Sequence, residues 1–468
     1  MTEILLIEPP VPSGKEGYIR QLGSSGECKI EMKWPPYDLM IMKGMFNKNG
    51  LESKMIDANS LGYGWDKVKG IISEERPKLV VFTVSAWSYK EDIQVAKVAK
   101  ETDPAIKTIP ICLSMPSIKE NLLEASPHID LYPYDEPELP VLEYVQSGCN
   151  PKDIKGIYYR NNGAIIRNVE HPKPRDMDAF GIPSHDGLPF HLYHDPLMKK
   201  RPMTIVNASR GCINKCMHCL SKFQSPLRYR SVANVMSELS EVKKLGIKEV
   251  KFFDCGLTNN ERWVQELCES MIEAKLDLSW QCNSRADKLS PFLASLMKKA
   301  GCHTVCIGSE SADDTILKTI KKNETVAEIE RGVMNAKNAG MKVLMYFVFG
   351  LPGETKETLR KNIEFAKRLE PDYVTFGMVT PVPDTEFYKY LEENNFFTQK
   401  YEDADLSTTK EPIYSYPQLS SKEIYSTSMQ AYKEFYFRPK YVIRKLINSP
   451  SDIGKNFVSF TQFVKRYH

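Results

Sequence analysis

Six short apolar runs, each followed by a stretch with helical periodicity, occupy the sequence between Thr204 and Val379. Because a helix-length segment separates successive runs, neighbouring strands are expected to pair in parallel. The predicted strands are Thr204–Asn207, Glu249–Asp254, Leu278–Asn283, Thr304–Gly308, Val343–Gly350 and Tyr373–Val379. The predicted helices are Ser231–Lys244, Asn260–Ala274, Pro291–Ala300, Val326–Ala339 and Lys356–Leu369. Residues 201–390 are therefore expected to form a partial (β/α)6 barrel, with an active site at the carboxyl ends of its strands.

The first 150 residues also alternate strand and helix patterns. Apolar runs lie at Ile4–Ile7, Lys54–Ile56, Leu79–Val84 and Ile109–Leu113, and Asp38–Phe46 has helical spacing. This α/β pattern predicts a doubly wound, Rossmann-like parallel sheet over residues 1–150. Ligands of such sheets bind beyond the carboxyl ends of the strands. The predicted ends carry Glu8-Pro9-Pro10, Asp57-Ala58-Asn59, Ser85-Ala86-Trp87 and Ser114-Met115-Pro116-Ser117.

Two further segments complete the organisation. Residues 151–200 are predicted to be a linker with a hairpin, in which Asn161-Asn162-Gly163 connects Gly156–Tyr159 to Ala164–Ile166. Residues 391–468 are expected to form a helical C-terminal region. Within this region Tyr432–Leu446 mixes aromatic and basic residues. Such a helix either makes peripheral contact with a membrane surface or, more commonly, packs on its own barrel with a solvated basic face.

Composition excludes several classes of protein. The net charge of +3 over 468 residues is too small to indicate nucleic-acid binding. The N-terminal residues 1–8 lack the regions of a signal peptide, and no run approaches the roughly 18 apolar residues of a membrane span. Most of the eleven cysteines are scattered, and because disulfides are rare in the cytosol these are expected to be thiols of a cytoplasmic protein.

Three cysteines are not scattered. Cys212, Cys216 and Cys219 have the spacing C-x3-C-x2-C, with no fourth cysteine close behind. Three thiolates on one loop can hold three corners of a 4Fe–4S cluster and leave the fourth iron open for a ligand. Two alternatives remain at this point: a zinc site in which His218 is the fourth ligand, and three thiols with no special role.

The cysteine loop, together with the strand before it, resembles the radical S-adenosylmethionine (SAM) superfamily. The resemblance implies that the open iron binds SAM and that an electron from the cluster cleaves it to a 5′-deoxyadenosyl radical. His218 is a departure, because the family usually has a larger aromatic residue there. SAM contacts are implied at positions that match family motifs after the strands: His218, Asp254, Cys255, Gly256, Asn283, Arg285, Glu310 and Phe347.

Alternatives stay open for two of these positions. Asp254 is expected to accept from the methionine amino group of SAM, or to cap the helix that follows it, or both. Arg285 is expected to bind the SAM carboxylate, or simply to be an exposed arginine. The run Gly308-Ser309-Glu310-Ser311 is similar to a family motif that places Glu310 beside the ribose or an internal cation.

The N-terminal segment is similar to the cobalamin-binding domain of one subclass, in the order of its elements and in the runs EPP, MIDA and VVFTVSAWS. The implied cobalamin contacts are Pro9, Pro10, Ser85, Trp87, Ser114 and Met115. The chain has LSMPS where the family usually has GGPH, and DEPE where it usually has GEGE. No histidine is marked as an axial ligand. The alternative is a domain that has lost cobalamin and only shapes the active site.

The resemblance implies a cobalamin-dependent methyltransferase acting on an unactivated carbon. The alternative within the family is an oxidative cyclase, a rearrangement enzyme or a carbon–carbon bond-forming enzyme without methyl transfer. An alternative of another class is a non-catalytic iron–sulfur or zinc module. Because no second cluster motif is present, an external electron donor of the flavodoxin or ferredoxin type is expected, steered by Lys215 or Lys222.

Overall fold

The structure is a computed structural model that describes residues 3–15, 17–21, 26–27, 32–85, 87–112, 121–401 and 411–448. The chain divides into two units. The N-terminal unit comprises Met1–Cys212, Leu220–Asp254 and Glu273–Ser279. The C-terminal unit comprises Ile213–Cys219, Cys255–Ile272 and Trp280–His468. Among the helices of the described ranges, none is both long enough and apolar enough to cross a membrane.

The elements of the N-terminal unit follow the alternation expected from its sequence. Its strands are β1 (Ile4–Glu8), β2 (Tyr18–Ile19), β3 (Gly26–Glu27), β4 (Ser53–Asp57), β5 (Leu79–Thr83), β6 (Lys107–Ile111), β7 (Leu131–Pro133), β8 (Ile157–Asn161), β9 (Ala164–Arg167), β10 (Met203–Val206), β11 (Ser209–Arg210), β12 (Arg228–Tyr229) and β13 (Glu249–Phe252). Its helices are α1 (Tyr37–Lys48), α2 (Ala58–Leu61), α3 (Trp65–Glu75), α4 (Tyr89–Asp92), α5 (Gln94–Thr102), α6 (Asn121–Ala125), α7 (Glu138–Gln146) and α8 (Val232–Lys244). Two 3-10 turns, Met177–Phe180 and Leu220–Gln224, complete it.

Four parallel strands form the first sheet, in the order β4-β1-β5-β6. In the central strand β1, Ile7 pairs with Ile56 of β4 on one side and with Phe82 of β5 on the other. All five residues of β1 are buried, as expected for a parallel strand covered on both faces. Strand order reverses between β1 and β5, and the carboxyl ends at such a reversal form the usual ligand crevice of these sheets.

The predicted hairpin is confirmed. Strands β8 and β9 pair antiparallel, and Asn162 and Gly163 at the turn have φ of 47° and 86°. This left-handed pair is the conformation that Asn-Gly favours in two-residue hairpin turns. The sequence did not predict that β7 would add to the hairpin as a third strand, in the order β7-β8-β9.

The C-terminal unit carries the later strand–helix repeats. Its strands are β14 (Ser279–Ser284), β15 (Cys302–Glu310), β16 (Lys342–Phe349) and β17 (Tyr373–Met378). Its helices are α9 (Glu261–Glu273), α10 (Pro291–Lys299), α11 (Asp314–Thr319), α12 (Val326–Asn338), α13 (Lys356–Leu369), α14 (Glu386–Glu393), α15 (Ser421–Tyr436) and α16 (Pro439–Asn448). Two 3-10 turns lie at Leu257–Asn259 and Ala286–Lys288.

Parallel pairing joins β14 to β15, β15 to β16 and β16 to β17, and β10 pairs in parallel with β13 inside the N-terminal unit. All six predicted strands are present, each within two residues of its expected ends. The helix starts agree for a local reason. Ser231, Ser290 and Thr325 each cap the first turn of the following helix through the side-chain oxygen.

The described part of the C-terminal tail packs on its own unit, as the sequence favoured. Helix α15 lies against β17, where the Ser428 hydroxyl donates to the Phe376 carbonyl at 2.6 Å. Phe435 is fully buried and contacts Phe376 edge-on. In α16, Arg444 donates to the Glu370 and Pro371 carbonyls, so part of the basic face is used internally.

Candidate functional site

The cysteine loop leaves and re-enters the N-terminal unit through a two-stranded stem. Strands β11 and β12 pair antiparallel, with Arg210 opposite Arg228, and the loop between them carries the three cysteines. Cys212, Cys216 and Cys219 are all half-buried. Gly211, with φ of 84°, precedes the first cysteine, and a side chain there would meet the Gln224 and Pro226 carbonyl oxygens at 2.7 Å. The loop therefore begins at a close backbone contact that only glycine fits.

Asp254 holds the entry to the loop. Its carboxylate accepts from the Ser209 hydroxyl at 2.5 Å and from the Ala208 backbone N–H at 3.3 Å. Burial raises the pKa of the carboxyl to about 6. Through these two bonds the carboxylate fixes the chain just before the cysteines.

A buried cation lies beside the loop within the C-terminal unit. Lys322 has a side chain that is only 7% exposed, and its ammonium lies 3.3 Å from Glu310 and 3.4 Å from Glu324. Burial raises the pKa of the Cys216 thiol to about 12, and the positive charge of Lys322 acts in the opposite direction. Thiolate ligands at this loop would therefore have a compensating cation close by.

Glu310 adopts an uncommon backbone conformation. Its φ is 58°, and the pairing of β15 with β16 shifts register between Gly308 and Glu310. A side chain at Gly308 would lie 2.7 Å from the Glu310 carboxylate and 3.1 Å from the Lys322 ammonium. A left-handed residue next to a bulge at a strand end is typical of functional sites. The structure thus places Glu310, a predicted site residue, in a cluster of buried charges with Lys322 and Glu324.

His218 faces this cluster. Burial lowers the pKa of its imidazole, which favours the neutral ring. Its Nε2 is 3.9 Å from Glu310, and its buried Nδ1 has no hydrogen-bond partner among the described residues. A buried ring nitrogen without a partner is uncommon in proteins and suits a site that gains a ligand.

Arg285 is buried and engaged rather than exposed. Its Nε donates to Asp287 at 2.9 Å, and its two terminal nitrogens donate to the Lys322 and Asn323 carbonyls at 3.0 Å. The exposed-arginine alternative is therefore wrong. The guanidinium ties the end of β14 to the segment that carries Lys322, so its contribution to the site includes positioning that cation.

Of three further predicted positions, two retain accessible surface and the third, Gly256, is buried. Asn283 is half-buried near the end of β14, and Cys255 is exposed directly after Asp254. Gly256 precedes the 3-10 turn Leu257–Asn259, and a side chain there would meet the Asn259 amide at 2.6 Å. All three lie at or just beyond strand ends, as the sequence predicted.

The expectation for Phe347 is corrected. The side chain is fully buried, stacks on Phe376 at 5.6 Å between ring centroids and meets Phe365 of α13 edge-on. Side chains alternate along a strand, so the neighbours Tyr346 and Val348 point to the opposite face and are half-buried. Phe347 therefore belongs to the hydrophobic layer between the sheet and its helices.

The predicted cobalamin contacts in the N-terminal unit are largely covered. The Pro9 and Pro10 carbonyls accept from the Arg20 guanidinium at 3.2 and 2.7 Å. Ser85 is fully buried, and its hydroxyl bonds to Tyr18 at 3.0 Å. These contacts correct the prediction that Pro9, Pro10 and Ser85 face a ligand.

Three other cobalamin contacts were predicted at this edge of the sheet. Trp87 is half-buried, whereas Ser114 and Met115 lie outside the described residues. Arg20 itself bonds to Asp92 at 2.8 Å and to Glu8 at 3.1 Å, and burial raises the pKa of the Glu8 carboxyl to about 7. Arg20 and Lys322 were not predicted as site residues, because Arg20 pairs with Asp92, 72 residues away, and the burial of Lys322 beside Glu310 and Glu324 depends on how the chain folds.

A family model and two relatives of known sequence match this chain. The model of the Radical SAM superfamily matches residues 206–366. Over 466 residues the chain is 31% identical to an uncharacterized methyltransferase of Pyrococcus horikoshii, covering 97% of both chains. It is 26% identical over 434 residues to the anaerobic magnesium-protoporphyrin IX monomethyl ester cyclase of Rubrivivax gelatinosus, covering 89% of this chain and 76% of the cyclase.

Solved structures share the fold. Two structures of the radical SAM methyltransferase TsrM of Kitasatospora setae match with TM-scores of 0.69 and 0.67 at 17% and 16% identity. Each covers 94% of this chain, and the matches extend over 84% and 86% of the TsrM chains. One holds tryptophan and a SAM analogue, and the other holds cobalamin and a [4Fe–4S] cluster. The family match, the cysteine loop and the relative that matches along 97% of the chain establish that this chain belongs to the Radical SAM superfamily, whose enzymes use a 4Fe–4S cluster and SAM.

Proposed function

We propose that the protein is a cobalamin-dependent radical SAM methyltransferase acting on an unactivated carbon. The observation that carries this proposal is the match along 97% of the chain to a relative named as a methyltransferase. That match includes the N-terminal parallel sheet as well as the strands that precede and follow the cysteine loop. The proposed organisation is a Rossmann-like domain at 1–150, a linker at 151–200, a partial barrel at 201–390 and a helical region at 391–468.

The proposed cluster ligands are Cys212, Cys216 and Cys219. Their donor set fits a cluster with one open iron, because three thiolates lie on one loop of half-buried residues. When bound, the cluster and SAM supply the radical that abstracts a hydrogen atom from the substrate. The chain itself would orient the loop through Asp254 and keep a positive charge beside it through Lys322.

The proposed SAM contacts are the polar groups near the loop. Glu310, held in its left-handed conformation beside Lys322, would accept from a ribose hydroxyl or the amino group of SAM. Neutral His218 would stack on a flat ring or use its unpartnered Nδ1. Asn283, Cys255 and Gly256 would line the same strand ends. Arg285 would act by positioning, through its bonds to the Lys322 segment.

Fewer of the predicted residues are available to contact cobalamin than the sequence implied. Pro9, Pro10 and Ser85 lie under the layer formed by Tyr18–Gln21, so a corrin would contact that layer or the half-buried Trp87 rather than these three residues. No histidine is proposed as an axial ligand. A second candidate function follows from this point and from the cyclase match: a radical SAM cyclase without methyl transfer.

The two candidates differ in what becomes of SAM, and this can be measured without the natural substrate. The anaerobically reconstituted protein is incubated with SAM and a strong reductant, with and without hydroxocobalamin. For the methyltransferase we expect corrinoid that stays bound through gel filtration and S-adenosylhomocysteine whose formation requires it. Formation of 5′-deoxyadenosine alone, with no retained corrinoid, would contradict cobalamin dependence and favour the cyclase candidate.

A further inference from the structure

A buried network of acidic and basic side chains joins the two strands, β11 and β12, at the base of the cysteine loop. We propose that this network acts as a clamp that fixes the loop for its iron–sulfur cluster. The clamp consists of Glu136, Glu138, Arg210 and Arg228, with Lys173 at its edge. All five residues belong to the N-terminal unit. The proposal rests on the cluster ligands proposed above, and it assigns a role to the acidic segment before α7.

Each arginine of the clamp has a carboxylate partner. Arg210 makes a bidentate pair with Glu138, including a bond of 3.1 Å, and also lies 3.7 Å from Glu136. Arg228 makes a bidentate pair with Glu136, including a bond of 3.0 Å. None of the four side chains is more than 7% exposed. Paired guanidinium and carboxylate groups of this kind fix relative position as well as charge.

The two arginines occupy the base of the loop. Arg210 lies two residues before Cys212, and Arg228 lies directly opposite it in the antiparallel β11–β12 pair. Like charges directly opposite each other destabilise a strand pair. Without Glu136 and Glu138 the two stem strands would therefore repel each other in a buried environment, so closure of the stem depends on both acids.

Further bonds extend the clamp to the returning segment of the loop. The Lys173 ammonium donates to the Phe223 carbonyl at 2.7 Å and to the Ser225 carbonyl at 3.3 Å, and it pairs with Asp135 at 3.2 Å. Arg228 also donates to the Gln224 and Pro226 carbonyls at 3.3 Å. The backbone carbonyls of four successive residues, 223–226, thus accept hydrogen bonds from Lys173 or Arg228. Both cations pair with carboxylates of the acidic segment before α7.

A buried ion network is weak evidence for stability, since well-packed apolar residues often serve as well. It does specify geometry, and groups that orient metal ligands typically change metal affinity about ten- to a hundredfold when removed. Because the network sits at both ends of the loop that carries all three cysteines, its proposed role is to position them. Glu136 and Glu138 are positioning residues in this sense and do not contact the cluster.

The test compares Glu138→Gln and Glu136→Gln with a matched control, Asp195→Asn. Asp195 pairs with Lys251 at 2.9 Å in the same unit, and both side chains are nearly as buried as the clamp. Each full-length protein is reconstituted anaerobically and exposed to an iron chelator, and iron release is followed with time. We expect release to be about tenfold faster in the clamp variants than in the wild type or the control.

A second readout separates positioning from general stability. The electron paramagnetic resonance spectrum of the reduced cluster, with and without SAM, is expected to change in the clamp variants and not in Asp195→Asn. If Glu138→Gln fails to fold, Lys173→Gln decides, because Lys173 is about one-fifth exposed and its loss is expected to accelerate release by a smaller factor. Unchanged release and spectra in the folded variants would overturn the clamp, whereas a wild type that binds no iron would overturn the cluster proposal instead.

Discussion

Gly211 shows how a single residue constrains the cysteine loop. The φ of 84° and the two carbonyl oxygens at 2.7 Å leave no room for a side chain, and the obstructing atoms are backbone atoms that cannot rotate away. For Gly211→Ala we expect a loss of unfolding free energy that includes about 1–2 kcal/mol for the left-handed conformation and about 1–3 kcal/mol for overpacking. Urea unfolding measures it, and iron content after reconstitution should fall in parallel.

The control for that prediction is Gly246→Ala. Gly246 has a similar φ of 76°, but a side chain there meets nothing within 4 Å. Its substitution should carry only the conformational cost of about 1–2 kcal/mol and leave iron content unchanged. Equal losses of stability in the two variants would show that the Gln224 and Pro226 contacts do not matter.

Lys322 is the second residue whose loss should be severe. Replacing it by methionine leaves the Glu310 and Glu324 carboxylates without their buried ammonium partner. Breaking a buried pair from one side typically costs about 3–5 kcal/mol. The adjacent Lys321 pairs with Glu386 on the surface, so Lys321→Met should change stability by about 1 kcal/mol or less. Similar unfolding midpoints for the two variants would rule out a structural role for the buried cluster.

At the scale of elements, the turn between β16 and α13 is closed by a buried acid. Glu354 accepts from the Gly350 and Leu351 N–H groups at 2.7 and 2.9 Å and is also close to Asn362. Burial raises the pKa of its carboxyl from 4.5 to about 8, and the negative charge of Asp313 adds to this. The folded state thus holds the Glu354 proton at a pH where the unfolded chain has released it.

This difference predicts a pH dependence with a definite sign. Because the folded state binds the extra proton, its stability should fall as pH rises from the unfolded pKa of 4.5 towards the folded pKa of about 8. Glu354→Gln keeps an acceptor oxygen for the two N–H groups but cannot ionise. Its unfolding free energy should decline less than that of the wild type over this range in urea titrations. Parallel curves for the two proteins would contradict the assignment.

The elements also show what could be predicted from sequence. Strand and helix positions follow from local periodicity and caps such as Thr325, so they were predictable. The face of the sheet to which Phe347 points was not predictable, because a shift of one residue along a strand exchanges its two faces. The insertion of Arg20 beside Asp92 joins residues 72 positions apart, and no local pattern reports such a contact.

At the scale of the whole molecule, the enzyme is expected to depend on an external electron donor. Lys215 is exposed within the cysteine loop and carries a charge that would steer an acidic partner. Lys215→Glu should slow 5′-deoxyadenosine formation with flavodoxin as the donor, more so at low salt, and leave the rate with a small chemical reductant unchanged. Lys244→Glu, at an exposed lysine of α8, is the control. An equal effect with both reductants would locate the defect in the site rather than in docking.

Cys212, Cys216 and Cys219 are proposed to hold one iron–sulfur cluster that cleaves SAM. The measurement that tests it most directly is iron content together with 5′-deoxyadenosine formation, after anaerobic reconstitution, in Cys212→Ala, Cys216→Ala, Cys219→Ala and the buried control Cys268→Ala. The wild type and Cys268→Ala should hold about four irons and form 5′-deoxyadenosine, and each of the other three should lose both properties. Full iron content and SAM cleavage in any one of those three variants would contradict the account.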